Sequence, residues 1–327
     1  MTSTRKEIAS LCVFGFEGTT VPPTLRRLIE KEGLAGVILF KRNIESKEQV
    51  AELNRELQSL SPDGKLLISV DHEGGRVFRL PPPFTQIPAA RRIGEEEKGF
   101  ETGVLMGQEL KEVGFNLNYA PVLDVDSNPA NPIIGDRAYG SDPETVARIA
   151  LEVVRGLRSE GIFPCGKHFP GHGDTFRDSH LELPFVDQPL SRLEAIELKP
   201  FQAAIQDGIE MLMTAHVVYP ALDPDFPATL SKKIITELLR DKMGYEGVVI
   251  SDDLLMKAIY DREGVSKAAE LFLQAGGDLV LICRQEEEQG KTLEALEKSA
   301  RDGILPEKCL RASIQRVLKL KQKMGNL

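Results

Sequence analysis

A chain of 327 residues with 41% hydrophobic content is long enough to bury a full core, either as one α/β barrel or as two modest domains. Its 41 basic and 50 acidic residues leave a formal net charge of −9, which offers no broad attraction to a phosphate backbone or an anionic membrane and argues against nucleic acid and membrane as partners. Four scattered cysteines, Cys12, Cys165, Cys283 and Cys309, form neither a CxxC pair nor a dense framework, a pattern that fits free thiols in a reducing compartment.

The chain opens MTSTRKEIASLCVFGFEG, whose apolar run is broken by Gly15, Glu17 and Gly18; it reads as a first barrel strand and not as a secretory signal. No later stretch stays apolar long enough to span a bilayer. Short apolar runs then recur in order: Ile8 to Phe16, Gly36 to Phe40, Leu66 to Val70, Asn116 to Val125, Phe163 to Phe169, Met211 to Val218, Gly247 to Ser251 and Asp278 to Cys283. Helical patterns separate them. Ser141-Asp142-Pro143-Glu144 carries a cap and a first-turn proline for a helix closed by Gly161, and Ser191-Arg192-Leu193-Glu194 reads as a capping box for a helix reaching about Gly208. Leu305-Pro306-Glu307 starts a last helix with Leu310, Ile314, Val317 and Leu318 at helical spacing, whereas Pro81-Pro82-Pro83 reads as a rigid loop. Eight buried strands alternating with helices predict one (β/α)8 TIM barrel over residues 1–327.

The ends of those strands carry the unusual residues, and in this architecture the active site lies at the carboxyl ends. Asp71-His72-Glu73-Gly74-Gly75-Arg76 follows the third strand; Asp124, Asp126 and the loop from Asn131 to Arg137 follow the fourth. Lys167-His168-Phe169-Pro170-Gly171-His172-Gly173-Asp174 and then Asp178-Ser179-His180 follow the fifth, His216 ends the sixth, and Ser251-Asp252-Asp253 ends the seventh. Each has a plainer reading. Asp71 and Arg79 are a candidate loop salt bridge, Arg137 a surface residue, Asp252 and Asp253 caps for the next helix, and His216 a satisfied core histidine that shapes the pocket. Charged groups at the same end of five strands argue for a shared site, because burying unpaired charge is costly. His168, His172 and His180 with Asp174 or Asp178 also suggest a metal centre, but Pro170, Gly171 and Gly173 preclude a helical His-x-x-x-His pair and Lys167 would repel a cation, so no metal or other cofactor is expected.

Taken together, KHFPGHGDT with the following DSH, DHEGGRVFRL, NPIIGDRAYG, TAHVVYP and GVVISDDL resemble, in the same order and over essentially the whole chain, bacterial β-N-acetylglucosaminidases of glycoside hydrolase family 3. The likeness is to the single-domain branch, in which the barrel alone supplies the acid/base. The resemblance implies that Asp252 is the nucleophile of a retaining reaction, that His180 is the general acid/base and that Asp178 orients it. It implies that Asp71, Arg79, Arg137, Lys167 and His168 bind the sugar. It further implies a small-molecule substrate, terminal β-linked N-acetylglucosamine on peptidoglycan fragments, handled in the cytoplasm during cell-wall recycling. His72 departs from the glutamine expected there.

The residue chemistry is consistent with those roles. A retaining glycosidase needs one group to attack the anomeric carbon and another to protonate the departing oxygen. A histidine near a pKa of ~6.5 can both donate and accept a proton at neutral pH, and an aspartate two residues away can fix its tautomer. A serine triad through Ser179 is disfavoured, since no nucleophile elbow surrounds it. Two rivals remain: a phosphorylase, because a histidine acid/base does not repel phosphate, and a sugar-binding barrel without catalysis.

Overall fold

Each of the eight apolar runs supplies a strand of the computed structural model, which describes residues 2–175 and 183–324. The strands are β1 (Cys12–Gly15), β2 (Gly36–Leu39), β3 (Leu67–Val70), β4 (Leu117–Asn118), β5 (Phe163–Phe169), β6 (Met211–Thr214), β7 (Val248–Ile250) and β8 (Val280–Ile282). All are parallel and pair in chain order, and β1 also pairs with β8 through Cys12↔Val280 and Phe14↔Ile282. A bridge between Ile250 and Leu279 joins the two ends of the sheet, so the eight strands form a (β/α)8 barrel.

The helices are α1 (Thr2–Ala9), α2 (Pro23–Arg27), α3 (Lys47–Leu60), α4 (Ala90–Glu95), α5 (Gly99–Glu112), α6 (Pro143–Ser159), α7 (Leu190–Ala195), α8 (Lys199–Gln206), α9 (Lys257–Glu263), α10 (Val265–Gln274), α11 (Glu286–Arg301) and α12 (Glu307–Gln322), with a π-helical stretch over Lys233–Lys242 between β6 and β7. Amphipathic α6 shows the logic. Asp142 caps it by accepting from the Thr145 N–H at 2.8 Å, worth about 1 kcal/mol, and Val146, Ile149, Val153 and Leu157 turn one stripe onto the barrel. Strand residues are buried on both faces, and the core is continuous from Phe14 through Leu67 and Leu212 to Leu281. Among the described residues no helix is long and apolar enough to cross a membrane.

Four expectations need correction. Ile8 and Ala9 belong to α1, whose apolar face runs into the strand, so β1 begins only at Cys12. The fourth ladder is two residues long because Pro121 has no N–H to contribute, although Val122 still bridges to Lys167. The Ser191 capping box is not formed: Pro189 takes the cap position, and the helix is broken at 196–198 because Pro200 starts a second one. Leu318 points outward at 43% exposure, and α12 instead buries Leu310, Val317 and Leu320.

Candidate active site

Asp71, Arg79, Arg137, Lys167, His168 and Asp252 line one cleft of about 510 Å³ at the carboxyl ends of the strands, together with Glu73, His172 and Asp253. Asp178 and His180 lie outside the described residues.

The cleft is organised around two buried carboxylates. Glu73, from the loop after β3, is 4% exposed and accepts a two-pronged pair from Arg137, Nε and Nη2 each at 2.8 Å. Lys167, on β5 and 2% exposed, reaches Glu73 and Asp71 at 2.6 Å each. Burial alone would raise the Glu73 carboxyl, but the charges of Arg137 and Lys167 outweigh it and hold the group far below the carboxylate range. Burial likewise opposes the charge on Lys167, and Asp71 and Glu73 more than restore it, raising its pKa. Asp71 therefore pairs with Lys167 and not with Arg79, whose guanidinium lies 5.8 Å from the Phe40 ring. Arg137 is no surface residue.

Asp124, fully buried, performs the matching task for the β5 loop. Its Oδ1 accepts the backbone N–H of His168 at 3.1 Å and of His172 at 2.7 Å, and its Oδ2 lies 2.7 Å from His168 Nδ1. Burial would raise the Asp124 carboxyl, yet His168 and these donors lower it, so the ionised Oδ2 accepts from His168 Nδ1, while His168 Nε2 lies 3.5 Å from Arg137 Nη2. His172 is pushed down to about 4, by burial first and then by His168, and its Nδ1 faces the Thr175 hydroxyl at 3.0 Å. Asp174 Oδ2 accepts from Gln188 at 2.7 Å, so His168 Nδ1, His172 Nδ1 and Asp174 Oδ2 of the candidate metal set each have a protein partner, while His180 and Asp178 lie outside the described residues. Among the described residues no group of three or more His, Cys, Asp and Glu is placed to hold a metal ion.

At the end of β7 the two aspartates differ. Asp253 Oδ1 accepts the N–H of Leu255 and of Cys283, both at 3.1 Å, and burial lifts its carboxyl to about 6. Among the described residues Asp252 Oδ1 accepts only the N–H of Asp253, at 2.7 Å. Burial would raise the Asp252 carboxyl too, but His216, His168, that N–H and Lys167 outweigh it and lower its pKa. His216 stands one layer behind the cleft. Neither Glu73 nor Asp124 stood among the expected site residues. Both occur in the strand-end motifs, and the signal was the need of a buried Lys167 and Arg137 for countercharge.

The chain matches the family model described as the glycosyl hydrolase family 3 N terminal domain over residues 3–320. It is 42% identical over 290 residues to the beta-hexosaminidase of Thioalkalivibrio sulfidiphilus (strain HL-EbGR7), a match covering 86% of this chain and 82% of the relative. Among solved structures, a glycoside hydrolase family 3 beta-N-acetylglucosaminidase from Paenibacillus sp. str. FPU-7 superposes with a TM-score of 0.95 at 41% identity over 98% of this chain, which spans only 62% of that one. NagZ from Neisseria gonorrhoeae, in complex with N-trifluoroacetyl-D-glucosamine, gives a TM-score of 0.77 at 31% identity, covering 95% of this chain and 98% of that one. With its barrel matched almost from end to end, this chain belongs to glycosyl hydrolase family 3 and is a glycoside hydrolase.

Proposed function

We propose that the chain is a retaining exo-β-N-acetylglucosaminidase, a β-N-acetylhexosaminidase that releases terminal non-reducing N-acetylglucosamine. The observation that carries this reading is the Asp252 carboxylate. It faces a cleft whose other wall is a rigid cradle of donors and acceptors, while the carboxylate of its neighbour Asp253 is held by two backbone N–H groups. In the mechanism Asp252 attacks the anomeric carbon, and the bond to the leaving oxygen breaks as His180, supported by Asp178, gives that oxygen a proton. Water then releases the sugar from Asp252, with His180 taking the proton back. Asp71, Arg79, Arg137, Lys167 and His168 satisfy sugar hydroxyls that would otherwise be desolvated unpaired. The named relatives, and one solved with an N-acetylglucosamine analogue, support the sugar. Peptidoglycan fragments as natural substrates, in the cytoplasm, extend the same reading.

Labelling with an activated fluorinated N-acetylglucosaminide, followed by peptide mapping, tests the covalent step. The label is expected on Asp252; a label on Asp253 overturns the assignment. His180→Ala is expected to lose ~100 to 10,000-fold on a natural disaccharide, to form its glycosyl intermediate readily from a dinitrophenyl glycoside, and to turn over faster with azide. Equal losses on both substrates without azide rescue would place the acid/base elsewhere. Product analysis on muropeptides with and without phosphate separates free sugar from the sugar 1-phosphate of a phosphorylase.

A further inference from the structure

Among the described residues Asp252 accepts a single hydrogen bond, and the groups that fix it act through the backbone of the next residue. The Asp253 N–H donates to Asp252 Oδ1 at 2.7 Å, and the Asp253 carbonyl oxygen lies 3.0 Å from His216 Nε2. A carbonyl oxygen only accepts, so Nε2 carries the hydrogen in this contact. On the far side of the ring, Nδ1 meets the Thr229 hydroxyl at 2.8 Å, and Thr229 in turn lies 2.9 Å from the Ala215 carbonyl and 3.0 Å from the Thr214 hydroxyl. Both His216 and Thr229 are fully enclosed, at 1% and 0% exposure. From the opposite side, residues 251–255 are stitched to β8: Ser251 Oγ accepts from Leu281, Leu254 N–H donates to the Leu281 carbonyl, and Asp253 Oδ1 accepts from Cys283.

We propose that His216 is a positioning residue for the nucleophile: its Nε2–H holds the Asp253 carbonyl from the β6 side, so that the Asp253 N–H is aimed at the Asp252 carboxylate. The inference rests on the reading of Asp252 as nucleophile. The Thr229 hydroxyl sets the ring orientation from the Nδ1 side and is itself held beside the Ala215 carbonyl, which also accepts the Thr229 N–H at 3.2 Å. A nucleophile misplaced by about 1 Å costs roughly 100-fold in rate, whereas sugar binding at the β3, β4 and β5 wall does not pass through this contact.

The test compares His216→Leu, which removes the donor, with His216→Gln, whose amide can donate to the same carbonyl. On an aryl N-acetylglucosaminide the Leu variant is expected to lose ~30- to 100-fold in kcat with KM changed less than about threefold, and to label more slowly with the fluorinated sugar. The Gln variant should recover most of both. Equal losses in the two variants, a change confined to KM, or wild-type kcat and labelling in the Leu variant would each overturn the proposal. Should the Leu variant fail to fold, Thr229→Val removes the hydroxyl that faces Nδ1 and leaves the Nε2 donor in place. A several-fold drop in kcat with KM unchanged supports the clamp; unchanged kcat sinks it. Mapping the label in the wild-type enzyme checks the assignment of Asp252 independently, so the two ideas fail on different measurements.

Discussion

Glu73 binds two cations at once, and its chemistry makes the site's acid sensitivity readable. Glu73→Gln keeps the shape but leaves Lys167 and Arg137 short of countercharge, so a loss of about 3 kcal/mol in urea unfolding is expected at neutral pH. Because its folded pKa is depressed, the stability it adds is present above the unfolded value of ~4.3 and is lost as pH falls towards the folded one. The gap between wild type and variant should thus narrow below about pH 4; a gap independent of pH would show that charge is not the cause. Asp253 runs the other way. Its carboxyl is raised to about 6, so its stabilising neutral form is lost as pH climbs from ~3.9 through 6. Asp253→Asn should gain on wild type across that window by on the order of 2 kcal/mol, read from the same unfolding series. A variant that instead loses ground as pH rises would show that Asp253 is stabilised as the anion.

Among the elements, the strands were legible and the hinges between helices less so. Mainly apolar runs of five to ten residues marked all eight strands, because a parallel strand covered on both faces shows no regular polar alternation. The same uniformity hid their ends: Ile8 and Ala9 looked like strand because α1 buries them beside it, and nothing in Asn116 to Val125 but Pro121 said where the ladder stops. Asp252, Lys167 and His168 were legible as strand-end residues, whereas Glu73 and Asp124 were passed over because an acid that neutralises and orients its neighbours leaves the same one-letter trace as a solvated one. The β5 loop offers an element-scale test. Its Gly173 lies so near the Val125 carbonyl that a Cβ there would collide with backbone, and the segment leads towards Asp178 and His180. Gly173→Ala is expected to displace it and lower kcat ~100-fold, measured with a natural disaccharide. An unchanged kcat would mean that the loop absorbs the shift before reaching the catalytic pair.

Across the molecule, the site is assembled from the ends of β3, β4, β5 and β7, with Asp71 and Lys167 96 residues apart in the chain, so it exists only when the barrel is closed. The barrel brings two carboxylates, Asp71 and Glu73, against two cations, Lys167 and Arg137, and their contacts balance one another before any sugar arrives. An uncharged sugar entering such a cradle displaces no counterions, and buried pairs are little screened by salt. The KM for a neutral aryl N-acetylglucosaminide should then drift by less than about twofold between ~0.01 M and 1 M sodium chloride, although the Debye length falls from about 30 to 3 Å over that range. A steep rise of KM with salt would mean that long-range attraction, and not this pre-neutralised cradle, recruits the substrate. A protein carrying a formal charge of −9 would thus recognise its sugar with almost no electrostatic signature in solution.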